Sequence, residues 1–248
     1  MKQLLVAILS VLLACQPAFT VSCSRQHRCE TAQETPRAAD IAERENNAVP
    51  EKRDSPEDKR IWLTFDDGPT DSTTPKILDV LESENVKATF FVIGSQITGR
   101  EKILRREADG GHTIGIHTYS HEYKKIYASA DALRKDIALC SEAIRSVLPD
   151  FCTDIYRFPG GSFNVKKELI AAVEQAGYRH YDWNASAEDA VSPNAPADEL
   201  YRNVLASAGE KSDVILLMHD GVGYKGTVQC LPSVIGYFRK KGYLFCTF

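Results

Sequence analysis

From Arg60 onward, short apolar runs of strand length alternate with longer amphipathic runs of helical period, and no other feature constrains the fold as tightly. The strand-like runs are Ile61–Phe65, Ala88–Val92, Thr113–Ile116, Ile155–Phe158, His180–Trp183, Val214–Met218 and Tyr243–Thr247. Between them lie Pro75–Ser83, Glu101–Ala108, Ala128–Val147, Lys166–Ala176, Ala197–Ala208 and Leu231–Lys241. Strand, helix and strand in this order build parallel strands with crossover helices, as a closed or nearly closed barrel or as an open sheet. The alternation alone fits either form.

Polar motifs stand where strand-like runs stop. Thr64-Phe65-Asp66-Asp67-Gly68-Pro69 ends the first run, and His117-Thr118-Tyr119-Ser120-His121 comes after the third. Arg157-Phe158-Pro159-Gly160-Gly161, Tyr181-Asp182-Trp183 and Leu216-Leu217-Met218-His219-Asp220 end later ones. In an α/β barrel the C-terminal ends of the strands form the face where active sites are built. All the motifs except the histidine segment are expected at such ends.

Two histidines four apart, His117 and His121, are expected on one face of a helical turn, from which both can hold a single ion. An aspartate from a distant loop completes such a set. Neighbouring side chains diverge, so one of Asp66 and Asp67 ligates and the other is left as a free carboxylate beside the ion, placed as a general base. Each motif alone has a plainer explanation, since Asp-Gly-Pro is ordinary turn chemistry and HxxxH is often a packing pair. Their joint occurrence with three further strand-end motifs favours chemistry.

Composition narrows the field. A chain of 248 residues with 43% hydrophobic content can bury a sizeable core. Lys+Arg 30 against Asp+Glu 34 gives a net charge of -4 with no basic block, which makes nucleic acid and anionic membrane surfaces poor partners. No GxSxG occurs, so the chain lacks the nucleophile elbow of a serine esterase, and the absence of CxxC disfavours a cysteine-rich metal site.

Residues 1–23 read as an export signal: Met1-Lys2 precede an apolar stretch from Leu4 to Ala14. Gln16 and Pro17 interrupt it before the roughly twenty apolar residues that a bilayer requires, although an uncleaved anchor running on to Val21 stays open. Leu12-Leu13-Ala14-Cys15 resembles a bacterial lipobox, so lipidation at Cys15 and simple secretion are both expected routes to an extracellular or cell-envelope location. Residues 24–59, rich in Glu, Arg, Ala, Asn and Pro, have too little apolar surface to offset ordering entropy and are expected to form a flexible charged linker. A catalytic domain is expected over residues 60–248. Of the seven cysteines, Cys140 with Cys152 and Cys230 with Cys246 are expected near enough to bridge in an exported domain, unpaired buried thiols being the alternative.

The five motifs, present in order, resemble those of the NodB-homology polysaccharide deacetylases, a carbohydrate esterase family, over about residues 60–248. The resemblance implies a distorted (β/α) barrel that removes acetyl groups from the N-acetylated sugars of a polysaccharide with the help of one divalent metal. It makes Asp66 the base and Asp67, His117 and His121 the metal ligands. Zinc suits these ligands first, with cobalt, nickel or iron(II) also compatible. Arg157 resembles the arginine that pairs with the base, and the Gly160 N–H corresponds to a donor toward the developing oxyanion. His219 corresponds to the general acid, paired with Asp182, while Trp183 and Leu217 correspond to apolar walls of the acetyl pocket.

An exported, tethered domain suggests peptidoglycan N-acetylglucosamine as the polymer, then chitin-type oligosaccharides, then O-acetylated xylan, and a monomer is expected. A wall-binding module that kept the fold and lost the chemistry is the non-enzyme alternative, disfavoured because none of the seven polar site residues is missing. Two departures stand out. The family's third motif often has Tyr after the proline where this chain has Gly160, so a groove-lining ring is missing, and Ile116 stands where many members have Asn. Tyr119, Tyr123 and Tyr127 are candidates to stack on sugar rings, with helix packing as the other explanation, and His112 is expected to be structural.

Overall fold

A computed structural model describes residues 58–248. The expected export signal, Cys15 and the linker up to residue 57 lie outside the described residues. The first strand, β1 (Lys59–Asp66), is followed by α1 (Thr74–Ser83), β2 (Thr89–Val92), α2 (Glu101–Asp109) and β3 (Thr113–Ile116). A short helix α3 (Tyr123–Ile126) and the long α4 (Ala130–Val147) lead to β4 (Ile155–Tyr156), α5 (Lys167–Gln175) and β5 (Arg179–His180). The chain ends with β6 (Ala185–Ser186), α6 (Ala197–Ala208), β7 (Asp213–His219), α7 (Lys225–Lys240) and β8 (Tyr243–Cys246).

The strands lie in the order β5-β4-β3-β2-β1-β7-β6, with β8 pairing separately on β1, and every ladder is parallel. No ladder among the described residues joins β5 to β6, so the sheet curls into the expected distorted (β/α) barrel without closing. Strand β1 is its spine. It pairs with β7 from Arg60↔Asp213 to Asp66↔His219, with β2 along its second half and with β8 along its first.

The period of two along β1 divides its side chains between two environments. Ile61, Leu63 and Phe65 enter the hydrophobic core, while Thr64 and Asp66, also buried, face the barrel interior and meet Arg157 there. Helix α4 covers the outside with a stripe of Leu133, Ile137, Cys140, Ile144 and Val147 at helical spacing. Ser129 caps it by accepting the Ala132 N–H. Each buried aliphatic of that stripe contributes about 1.5–3 kcal/mol, enough for a few of them to outweigh any single surface ion pair.

Two elements, and the expected cysteine pairing, differ from expectation. Helix α7 starts at Lys225, not Leu231, and runs through Pro232. Proline ordinarily breaks helices, and the polar segment before it hides the buried face formed by Thr227, Cys230, Leu231, Val234 and Phe238. Strand β6 is only two residues long, with no apolar run to announce it; Ser207 holds it by accepting from Ser186 N and donating to Ser186 O. The cysteine bridges are not formed. Cys140 and Cys230 are buried thiols that donate to the Val92 and Thr227 carbonyls, whereas Cys152 is exposed.

Candidate active site

Asp66 is the last residue of β1 and is buried. Its Oδ1 accepts from Arg157 Nη1 at 2.9 Å. Arg157 follows β4 and is fully buried; Nη1 also donates to Thr64 Oγ1 at 2.7 Å and Nε to the Tyr181 carbonyl at 2.9 Å. Its guanidinium lies 4.1 Å from the Phe91 ring centroid. Burial raises the Asp66 pKa above its usual value, and the charges of Arg157 and His219 pull against that rise. The carboxylate is thus both oriented and more basic than one in water.

Asp67 has φ 80, which swings its side chain away from that of Asp66 and toward the histidines. Its Oδ1 lies 3.6 Å from His117 Nε2 and 3.4 Å from His121 Nε2. The three residues place one ligand atom each within 4.8 Å of one another. Asp67 Oδ1 is buried with no hydrogen-bond partner among the described residues, an arrangement that costs free energy unless a cation completes it. His117 Nδ1 donates to the Arg157 carbonyl at 2.9 Å, and burial drives its pKa down to about 3, so a neutral ring turns Nε2 inward as a ligand. The donor set, two imidazoles and one carboxylate with open positions, fits a divalent cation.

The histidines are not on a helical turn, as the spacing suggested. His117 directly follows β3, and the segment to His121 is a loop in which Thr118 and His121 have φ 71 and 54. Its shape is held from α4. Asp136 accepts from Tyr119 N, Ser120 N and Ser120 Oγ, at 2.5, 3.2 and 2.7 Å. Gly94, which packs against Cys140 of α4, donates its N–H to the Thr118 carbonyl, and a Cβ on it would collide with Tyr119 at 2.6 Å. An i, i+4 spacing therefore converges here through left-handed backbone and not through helical geometry.

His219 ends β7 and is the register partner of Asp66, so the two candidate proton carriers occupy adjacent strands. The expected Asp182 partner is corrected by the structure. His219 Nδ1 lies 2.8 Å from Asp189 Oδ1, while Asp189 Oδ2 accepts from His219 N and Thr227 Oγ1, both at 2.8 Å. Burial alone would depress the imidazole pKa; the Asp189 hydrogen bond and the charges of Asp189, Asp66 and Asp67 raise it to about 9. Asp182 instead fastens the third motif's loop, accepting from Ser162 N at 2.9 Å and from Ser162 Oγ. Asp189 lies in the loop after β6, and Ser186↔Leu217 pairing brings that loop to His219. Recognising β6 would have revealed it, but two residues give no periodic signal.

Gly160 has φ 76, a left-handed conformation that glycine adopts without strain. The wall beside it is not empty, as the missing motif tyrosine suggested, because Tyr123 of α3 occupies it. Trp183 is half-buried, 5.8 Å from the Arg157 guanidinium, and Phe163, 66% exposed and absent from the sequence reading, meets it edge-on at 5.7 Å. Leu217 is buried on β7 two residues before His219, on the same strand face. Tyr224 stacks on the His219 ring at 5.4 Å. His112 is structural, its Nδ1 accepting from Ala88 N at 3.2 Å. A cavity of about 600 Å³ lies elsewhere, between His112, Leu148 and Phe248, and none of the candidate catalytic or metal-binding residues lines it.

The buried Asp66–Arg157 ion pair thus stands beside converging metal-type donors, with the His219–Asp189 pair at the end of the adjacent strand of the (β/α) barrel. Residues 53–181 match the family described as polysaccharide deacetylase, and the chain belongs to that family. The peptidoglycan-N-acetylglucosamine deacetylase PgdA of Listeria monocytogenes is 34% identical over 199 residues, which are 80% of this chain and 40% of that protein. A chitooligosaccharide deacetylase of Rhizobium leguminosarum is 33% identical over 78% of this chain and 83% of its own length. Among solved structures, a Streptococcus mutans CE4 esterase superposes with a TM-score of 0.72 and 33% identity over 76% of this chain and 85% of that one.

Proposed function

We propose that this protein is a metal-dependent deacetylase acting on N-acetylglucosamine in peptidoglycan. The observation that carries the reading is the convergence of Asp67, His117 and His121 beside the buried Asp66–Arg157 pair. A divalent cation held by those three residues, zinc in the first instance, would polarise an acyl oxygen and acidify water.

Asp66 accepts the proton of the attacking water, and Arg157 keeps it ionised and aimed. As the water oxygen bonds to the acetyl carbon, negative charge gathers on the acyl oxygen, and the Gly160 N–H is the backbone donor assigned to it. His219, with Nδ1 tied to Asp189, gives its Nε2 proton to the nitrogen as the carbon–nitrogen bond breaks, so acetate and a free amine result. Trp183, Leu217 and Phe163 supply the apolar surround of the methyl group.

The polymer is inferred from relatives and from the expected export signal. The Listeria relative's name specifies peptidoglycan, the Rhizobium relative's chitooligosaccharides, and a bifunctional xylanase/deacetylase of Pseudobutyrivibrio xylanivorans is 34% identical over 76% of this chain. Export through residues 1–23, with or without a lipid on Cys15, would bring a monomeric domain to the wall on its linker. Acetate release measured side by side on peptidoglycan, N-acetylglucosamine oligomers and O-acetylated xylan tests the assignment. The highest kcat/KM is expected on peptidoglycan, and a preference for either other polymer would overturn the substrate while leaving the reaction intact.

A further inference from the structure

The short helix α3 directs two tyrosines at the loop after β4, and the two are held differently. Tyr127 is anchored by packing: its hydroxyl donates to the Pro159 carbonyl at 2.8 Å and its ring lies 6.4 Å from that of Phe158. Tyr123, one turn earlier, stands edge-on to His121 at 5.5 Å and to Tyr127 at 5.8 Å, and it remains 48% exposed. A Cβ added to Gly160 would lie 3.1 Å from the Tyr123 hydroxyl and 3.4 Å from its Cε1. That hydroxyl makes no hydrogen bond among the described residues.

A ring fixed on two edges by other rings has little rotamer freedom left to lose on binding. Its exposed face and unpartnered hydroxyl stand between a metal ligand and the backbone amide assigned to the acyl oxygen. Packing explains Tyr127 completely and leaves the exposed part of Tyr123 without a role. A pyranose offers the matching chemistry, an apolar C–H face and hydroxyls around its edge. We infer that Tyr123 is a substrate-binding residue that sets sugar preference: its ring walls the groove at Gly160, and its hydroxyl hydrogen-bonds a hydroxyl of the pyranose that bears the acetamido group. This rests on the deacetylase reading.

The test compares wild-type, Y123F and Y123A full-length protein loaded with zinc, on an N-acetylglucosamine tetramer and on 4-nitrophenyl acetate, which has no sugar. The loss of a wall and a hydrogen bond should raise KM for the tetramer about tenfold in Y123A, and loss of the hydrogen bond alone about threefold in Y123F. Zinc content should not change, and hydrolysis of the small ester should fall far less than that of the tetramer. Calorimetric titration of the tetramer into D66N and D66N/Y123A gives a readout independent of turnover, with affinity expected to fall about tenfold in the double variant. An unchanged KM and affinity, or an equal loss on the small ester together with lost zinc, would overturn the inference. Weakened tetramer binding in the D66N pair, with no acetate release by the wild type, would uphold Tyr123 and overturn the deacetylase reading instead.

Discussion

The imidazole of His219, at the end of β7, and the carboxylate of Asp189, in the loop after β6, meet at 2.8 Å, and this contact holds the ring in its charged form. With its pKa raised to about 9, His219 is protonated across the neutral range and able to donate. D189N keeps an acceptor for Nδ1 but removes the negative charge that opposes burial, so the alkaline limb of the kcat profile should move down by at least about one pH unit and kcat should fall about 100-fold. D182N, which loosens the Ser162 loop, should leave that limb in place. The pair also contributes stability that is complete below the unfolded-state pKa of His and is lost as pH rises through about 9. A pH–rate profile of the two variants checks the assignment.

Arg157 and Asp66 depend on each other. Removing one partner of a buried ion pair leaves an uncompensated charge at a cost of about 3–5 kcal/mol. R157M should therefore destabilise the fold by about 3 kcal/mol in denaturant titrations, with Asp66 left buried beside Thr64. D66N keeps an acceptor for Arg157 and should fold, bind metal and lose at least about 1000-fold in kcat.

Metal affinity should follow the three convergent residues. D67N and H121A are each expected to weaken zinc binding by at least about 100-fold, read by calorimetry on the stripped protein. D136A, which frees the loop between the histidines, should weaken it about tenfold without touching the ion.

Much of this was legible in the sequence. The strand–helix alternation predicts parallel strands with crossover helices because β1, β2, β3 and β7 are long enough to carry an apolar signal, whereas the barrel form comes from the family resemblance; the motifs at the strand ends converge because parallel strands place their C-termini together. Asp189 was not legible, because β6 has two residues and its register with β7 is a tertiary fact. Nor was the histidine loop: HxxxH suggests a helix, while Asp136, fifteen residues beyond His121, dictates the turn. Tyr123 beside Gly160 likewise depends on how α3 packs, which spacing does not encode.

Glu107 of α2, which has no part in the proposed chemistry, provides a stability test. It is fully buried, neither carboxylate oxygen has a hydrogen-bond partner among the described residues, and burial raises its pKa well above the usual carboxylate value. Its raised pKa favours the fold below the unfolded-state value near 4.5, and that advantage is lost as pH rises toward the folded-state pKa, by about 1.4 kcal/mol per pH unit. E107Q should therefore raise Tm at pH 8 relative to wild type, and much less at pH 4. Thermal melts at the two pH values decide it.

The central claim is that Asp67, His117 and His121 hold a cation without which Asp66 and His219 do no chemistry. It is tested most directly by acetate release from N-acetylglucosamine polymer, using protein stripped of metal, reloaded with zinc or cobalt, and reloaded D66N. Release that vanishes on stripping, returns on reloading and stays absent in D66N is the predicted result. Release that survives stripping, or that persists in D66N, would contradict it.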